Sequence, residues 1–398
     1  MESSLVPFIL KYKSGLTRKL LIWIIDATDN GMSLRAVATM LKTQYIFEYE
    51  SRKKDFIRYQ RNSGNNKESS LKNITFPTMC ELIRFPSREF IIASYISSAK
   101  QYVSLFDMER NQLEVDYLAI DHTFKISTKI GHLDKSSKRF VKQYNSLFFA
   151  MNGKGQVLEF KLTKSTKLDE VGDLLRRINS RMQHPLQLIM VDNCCQSALI
   201  LKRFFGNQLQ VKLDLFHATQ RLSGVIPKKT ALRNQILKEY ALVFRDTNDI
   251  GRVRSKATPT SNVLQSNLEL FKKKWMVHIS GQVIENRFKR IVKVLSDIEN
   301  HIHKGCLSGI PCSAGTNRNE IFHRYLRQHG ILKQVKLGVE LGEAGLMYAV
   351  HKRNFKAGRN MTDDHWLDAL IHAKDAVEGN LSSYATHTQQ EESQTNGR

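Results

Sequence analysis

The chain has 398 residues, and 61 lysines and arginines against 38 aspartates and glutamates give it a formal net charge of +23. At that length two or three domains are expected, and 41% hydrophobic residues suffice for a buried core. The sequence has no apolar run of ~18 residues, which excludes a membrane-spanning helix. No apolar signal segment followed by a cleavage site opens it, so secretion is not expected. Five cysteines read as reduced thiols of a cytosolic or nuclear protein, not as a disulfide framework. The charge points to a polyanionic partner, nucleic acid first.

In chain order, LTRKLLIWIIDAT predicts a helix, Asp29-Asn30-Gly31 breaks it, and Ser33 can cap a second helix that begins SLRAVATMLKTQY. The pair reads as a helical hairpin, with half of a helix-turn-helix as the alternative. Residues 62–74 are a polar linker, and a further helix follows Pro86-Ser87. From 116 the pattern changes to strands. DYLAIDHTFKI is a buried strand, and QYNSLFFAMN and QVLEFKLT form a hairpin around Gly153 and Gly155. LDEVGDLLRRINSRM is an amphipathic helix, LQLIMVD a central strand, NCCQSALILKRFFG a helix and QVKLDLFH a strand.

Three strands followed by alternating helices and strands is the order of the ribonuclease H-like fold, a mixed α/β sheet with helices on its faces. Helical patterns alone follow through ALRNQILKEYALVF, NLELFKKKWMVHI and GQVIENRFKRIVKVLSDIENHIH, and again in NEIFHRYLRQHG, ELGEAGLMYAVHKRN and DDHWLDALIHAKDAV. The expected organisation has five parts: a mainly helical N-terminal region (1–110), the first part of the core (111–225), a basic all-helical insertion (226–308), a core completion with C-terminal helices (309–377) and a disordered tail (378–398).

Acids are scarce, so an acid within an apolar strand stands out. Asp121 lies inside YLAIDHTFKI, Asp192 ends LQLIMVD, and Glu320 opens a late helix. Neighbouring carboxylates repel unless a cation compensates, and a hard divalent cation takes oxygen ligands. Three converging carboxylates can hold two Mg²⁺ (or Mn²⁺) ions that activate water and stabilise a leaving 3′-oxygen of a phosphodiester. Each acid also has a plain structural use: Asp121 as a strand-end acceptor, Asp192 as a helix cap, Glu320 as a capping-box partner of Asn317. Asp214 and His217 form a D-x-x-H pair at a strand-to-helix turn. His217 can bind a scissile phosphate or orient a neighbour, and Asp214 is either a helix cap or a competing metal ligand.

The positive charge concentrates in residues 221–319, with 18 basic and 7 acidic side chains. Its clusters, Lys228/Lys229, Arg252/Arg254/Lys256, Lys272/Lys273/Lys274 and Arg287/Lys289/Arg290, suit a phosphate-binding surface, although any one of them can be a solvated helix face. Trp275 reads as a core residue of the helical insertion or as a ring that stacks on a flipped base. His301, His303, Cys306 and Cys312 are soft ligands close in sequence, but their spacing matches no common zinc module and a short Gly/Pro loop is a poor cage. Cys194 and Cys195 read as helix-packing residues. No P-loop, dinucleotide fingerprint or nucleophile elbow is present.

Together these residues resemble eukaryotic cut-and-paste transposases with a DDE catalytic domain, nearest to the Mutator-like superfamily. Asp121 in AIDHTFK stands at the first acidic position, Asp192 in VDNCCQ at the second, Asp214-Leu215-Phe216-His217 as the C/D-x-x-H motif, and Glu320 in GTNRNEIFH at the third acid. The resemblance covers about residues 110–350. It implies Mg²⁺-dependent cleavage of double-stranded DNA at element ends, joining of the freed 3′-hydroxyl to target DNA, a nuclear location and a homodimer or higher oligomer. The N-terminal Cys/His zinc module of many such proteins has no counterpart here. Alternatives are a catalytically silent, host-adopted DNA-binding descendant or another ribonuclease H-like nuclease. Exonucleases of that fold use an acid-x-acid pair in the first strand, where this chain has Thr123 two residues after Asp121.

Overall fold

The computed structural model describes residues 8–11, 14–63, 75–79, 85–245, 257–311, 314, 317–328, 330–334 and 336–359. The polar linker beyond 63, the DDHWLDALIHAKDAV segment and the tail lie outside the described residues. Two compact units divide the chain: Met1–Phe106, Leu326–Lys352 and Asp363–Arg398 in one, Asp107–Tyr325 and Arg353–Thr362 in the other. The architecture is mixed α/β. Among the described residues, no helix is long and apolar enough to cross a membrane.

The first unit begins with a short antiparallel hairpin, β1 (Phe8–Lys11) and β2 (Ser14–Thr17). Thr17 then caps α1 (Arg18–Asp29), its Oγ1 accepting from the Leu20 N–H at 3.2 Å. Gly31 turns the chain at φ +93°, a value that glycine adopts without strain. Ser33 Oγ accepts from the Ala36 N–H at 3.1 Å and starts α2 (Leu34–Ser63). The two form a helical hairpin whose inner face carries buried Ile24, Ile25, Leu34 and Val37. Ser87 caps α3 (Arg88–Gln101) in the same way. A late helix, Val339–Arg359, brings Tyr348 against Tyr95, and the Tyr348 hydroxyl donates to Ser98 Oγ at 2.8 Å.

After α4 (Val103–Asn111) the second unit builds one five-stranded sheet. Its first strand is β3 (Leu118–Thr123). A side hairpin, β4 (Ile130–Leu133) and β5 (Phe140–Lys142), precedes β6 (Ser146–Met151) and β7 (Val157–Thr163). The turn between β6 and β7 is built by Asn152, whose Oδ1 accepts from the N–H groups of Lys154 and Gln156. Then come α5 (Gly172–Ser180), β8 (Leu188–Val191), α6 (Cys194–Phe205) and β9 (Gln210–Leu213). Spatial order is β7-β6-β3-β8-β9. β6 is antiparallel to both β3 and β7, whereas β8 is parallel to both β3 and β9. All six residues of β6 are buried, which explains the unbroken apolar run from Leu147 to Met151.

The QVKLDLFH segment departs from the expected strand. Pairing ends at Leu213, and Asp214 becomes the N-cap of α7 (Leu215–Val225), accepting from the N–H groups of Phe216 and His217. Among the described residues, three helices follow: α8 (Arg233–Leu242), α9 (Ser261–Ser280) and α10 (Glu285–His303). They do not form a separate core. Ile236, Leu268, Ile291 and Ile298 belong to the same apolar cluster as Leu118, Ile189 and Leu213 of the sheet. The chain then forms α11 (Asn317–Gln328) and the late helix, α12. In the C-terminal part of α12, Asn354 brackets the start of β7, accepting from the Val157 N–H and donating to its carbonyl at 2.7 and 2.8 Å.

Candidate active site

The pairing of β3 with β8 decides where two of the acids go. Leu118 lies opposite Ile189 and Ala119 opposite Met190, an offset of 71 residues in parallel register. Carried forward two residues, that offset sets Asp121 beside Asp192, at the C-terminal ends of neighbouring parallel strands. Asp121 is buried, and its Oδ1 accepts from the His122 N–H at 2.6 Å. Asp192 follows β8 with its side chain 39% exposed, and its carbonyl accepts from Arg221 Nη2 at 2.7 Å.

Two histidines and the third acid complete the group. His217, in the first turn of α7, places Nε2 2.9 Å from Asp192 Oδ1 and 4.0 Å from Asp121 Oδ2. Ligating atoms of Asp121, His217 and Glu320 all lie within 4.8 Å of one another. Glu320 sits in the first turn of α11, where the helix dipole favours a carboxylate. One turn on, buried His323 sets Nε2 3.6 Å from Asp121 Oδ2 and Nδ1 3.7 Å from Glu320 Oε1, its ring edge-on to Phe149. The structure therefore groups Asp121 of β3, His217 of α7 and Glu320 of α11, and Asp192, at the end of β8, joins them through His217.

The electrostatics of this group are strained without a cation. Asp121 Oδ2 is buried and accepts no hydrogen bond. Burial foremost, then the charges of Asp192 and, more weakly, Glu320, push the Asp121 carboxyl up to about 7, while His217 and the His122 N–H pull the other way. At His217, burial disfavours the charged ring, but contact with Asp192 and the charge of Asp121 outweigh it and raise the imidazole above its ordinary value. Carboxylates this close, one of them buried with an oxygen unsatisfied, fit a hard divalent cation.

Asp214 is a helix cap that fixes the start of α7 and so the direction of His217. His323 is absent from the sequence-derived candidates, although Glu320 and His323 are three apart and so share a helix face. Among the basic residues, Lys228, Lys229, Lys273, Arg287 and Arg290 are exposed. Lys272 is instead held by Glu269 and Glu299, Lys274 by Glu239, and Lys289 by Glu285. Arg252, Arg254 and Lys256 lie outside the described residues. The stacking expectation for Trp275 is corrected: the ring is buried in the helical core and its Nε1–H donates to Glu239 at 2.7 Å, so no face is offered to a base.

The expected cysteine roles also change. Cys194 and Cys195 are not simple packing residues: their thiols face His301 and Cys306, whereas His303 is exposed and Cys312 lies outside the described residues. No protein-family model matches the sequence, and no curated protein matches it either.

Proposed function

We propose that this chain is a Mg²⁺-dependent DNA-cutting and DNA-joining enzyme of the transposase kind, with a ribonuclease H-like catalytic domain. One observation carries the reading: Asp121 and Glu320, 199 residues apart, share one group with His217 around an Asp121 oxygen that is buried and accepts no hydrogen bond, and His217 ties Asp192 to that group at 2.9 Å. Numbered within the sheet, the strands run 3-2-1-4-5 with the second antiparallel to its neighbours, a mixed sheet of the kind that reading calls for.

Asp121, Asp192 and Glu320 would hold the metal, as two ions by the resemblance. Mg²⁺ or Mn²⁺ there would supply an activated water and charge stabilisation at a phosphodiester. The His122 N–H anchors Asp121 Oδ1 and leaves Oδ2 directed into the site. His217, its proton favoured by Asp192, is suited to pair with a phosphate oxygen and to hold Asp192 in place. The exposed cations of the helical insertion, Lys228, Lys229, Lys273, Arg287 and Arg290, suit the backbone of double-stranded DNA. By the same resemblance, a homodimer or higher oligomer would synapse two DNA ends, and the nucleus would be its location.

The test is Mg²⁺-dependent nicking of duplex DNA by the full chain. Asp121→Ala, Asp192→Ala and Glu320→Ala are each expected to reduce nicking by about 100-fold or more while changing DNA affinity only a few-fold. Full nicking by one variant would remove that acid from the site. Binding without nicking by the unaltered chain would leave a DNA-binding descendant of such an enzyme.

A further inference from the structure

Two residues beyond Asp192 a second, chemically different cluster begins. Cys194 and Cys195 open α6, where the chain has just left β8. His301 comes from the last turn of α10, and Cys306 from the loop after it, where Gly305 turns the chain at φ +70°. That loop is pinned to the sheet. The Leu213 N–H donates to the Cys306 carbonyl at 3.0 Å, the Cys306 N–H donates to the His301 carbonyl at 2.9 Å, and Lys212 Nζ donates to the Gly305 carbonyl at 2.8 Å. The three thiols are free, two of them buried.

We propose that Cys194, Cys195, His301 and Cys306 form a structural Zn²⁺ site. Tetrahedral zinc, with Zn–S of about 2.3 Å and Zn–N of about 2.05 Å, sets S···S at about 3.8 Å and S···N at about 3.6 Å. The observed separations are Cys194 Sγ to Cys195 Sγ 3.9 Å, Cys195 Sγ to Cys306 Sγ 3.7 Å, and His301 Nδ1 to each of Cys194 Sγ and Cys195 Sγ 3.5 Å. The remaining pairs fall within 4.8 Å. Four soft ligands at the corners of one tetrahedron is more than close packing of thiols requires. Four protein ligands also leave no open position, which marks a structural metal and not a catalytic one.

The charge balance is workable. Three thiolates, a neutral imidazole and Zn²⁺ sum to one negative charge, and the ammonium of Lys212 feels the thiols of Cys306 and Cys194. Metal on Nδ1 leaves the His301 proton on Nε2, which lies 3.3 Å from Arg221 Nη1. Those two donors must part by a small rotation of the guanidinium, whose other nitrogen keeps its 2.7 Å bond to the Asp192 carbonyl. Zinc would thus rivet the end of the helical insertion to the strand end that carries Asp192. The zinc site needs nothing from the carboxylate group and stands if the enzymatic reading fails.

Elemental analysis of the purified full chain, kept reduced, tests the proposal. One zinc per chain is expected, and Co²⁺ in its place should give the intense visible bands of a tetrahedral thiolate site. Cys195→Ser and Cys306→Ser should lose the bound zinc, and Asp121→Ala should retain it. A wild-type chain that takes up no zinc, or both serine variants keeping a full equivalent, would overturn the site. Where a serine variant does not fold, the wild-type Co²⁺ spectrum decides: weak octahedral bands, or a vicinal disulfide in place of metal binding, would also overturn it.

Discussion

The carboxylate group and the sulfur group grow from the same five residues, Val191-Asp192-Asn193-Cys194-Cys195, yet they select opposite chemistry. Asp192 follows the strand and lies beside Asp121, a hard oxygen ligand near another. Cys194 and Cys195 turn into a helix and meet His301 and Cys306, soft ligands beside one another. One strand end thereby serves two purposes. Oxygen ligands with a flanking histidine suit an exchangeable cation with an open side, and the closed Cys₃His set suits a permanent one. Arg221 lies between them, one guanidinium nitrogen on the Asp192 carbonyl and the other beside His301.

Asp121→Asn should separate the two groups most severely. Asn removes the charge that would hold the cation, so nicking should fall by about 100-fold or more. The same change should stabilise the metal-free chain. Asp121, faced by Asp192, His217, Glu320 and His323, has its carboxyl raised to about 7 from an ordinary 3.8. Between those values the folded state keeps a proton that the unfolded state has lost, so this group's contribution falls as pH rises through the window and stays low above it. Asn cannot ionise, and the variant should gain up to about 4 kcal/mol over wild type at pH 8 relative to pH 4 in a chelator. Mg²⁺ should restore stability to the wild type alone. Denaturation curves at both pH values, with and without Mg²⁺, check this; parallel curves for the two proteins would mean that Asp121 is not held under strain.

How much of the fold and of the site is legible in the sequence varies with how far the information lies from the residue concerned. The Asp121–Asp192 pairing is legible because both sit in strong apolar strands, and parallel neighbours put equivalent positions side by side. His217 is legible as part of a motif, but its direction depends on Asp214 ending the strand and capping α7, a local competition that an apolar run conceals. His323 has a readable signal as the i+3 neighbour of Glu320, but only once that helix face is known to point at the sheet. The sulfur group is hidden because its halves are 106 to 112 residues apart, so the sequence pairs Cys306 and His301 with near neighbours instead. The continuous core beneath the insertion is not legible at all, since helix periodicity says which face is apolar and not what it covers.

A smaller effect is expected at Arg221, the residue shared by both groups. Lysine offers one compact charge and cannot reproduce the planar reach by which the guanidinium donates to the Asp192 carbonyl. Arg221→Lys should lower nicking about tenfold by loosening Asp192, as changes just outside the ligand set do, while the zinc content stays at one per chain. Kinetics at varied Mg²⁺ together with elemental analysis separate the two outcomes. Zinc lost along with activity would show that the two groups are coupled more tightly than their ligands suggest.

The smallest effects should divide the exposed cations of the insertion from its buried tryptophan. Lys273, Arg287 and Arg290 are exposed, so replacing all three by alanine should weaken DNA binding about evenly across sequences and reduce the slope of log affinity against log salt by up to about 0.9 for each phosphate left unneutralised. Trp275→Phe should leave that slope unchanged, because the ring is enclosed by the core and spends its N–H on Glu239. Its cost should appear in stability instead, on the order of 1–2 kcal/mol from the missing hydrogen bond and the smaller ring. Salt titrations and thermal melts of both variants measure the division. A slope altered by Trp275→Phe would mean that α9 opens on DNA and exposes what the free fold keeps inside.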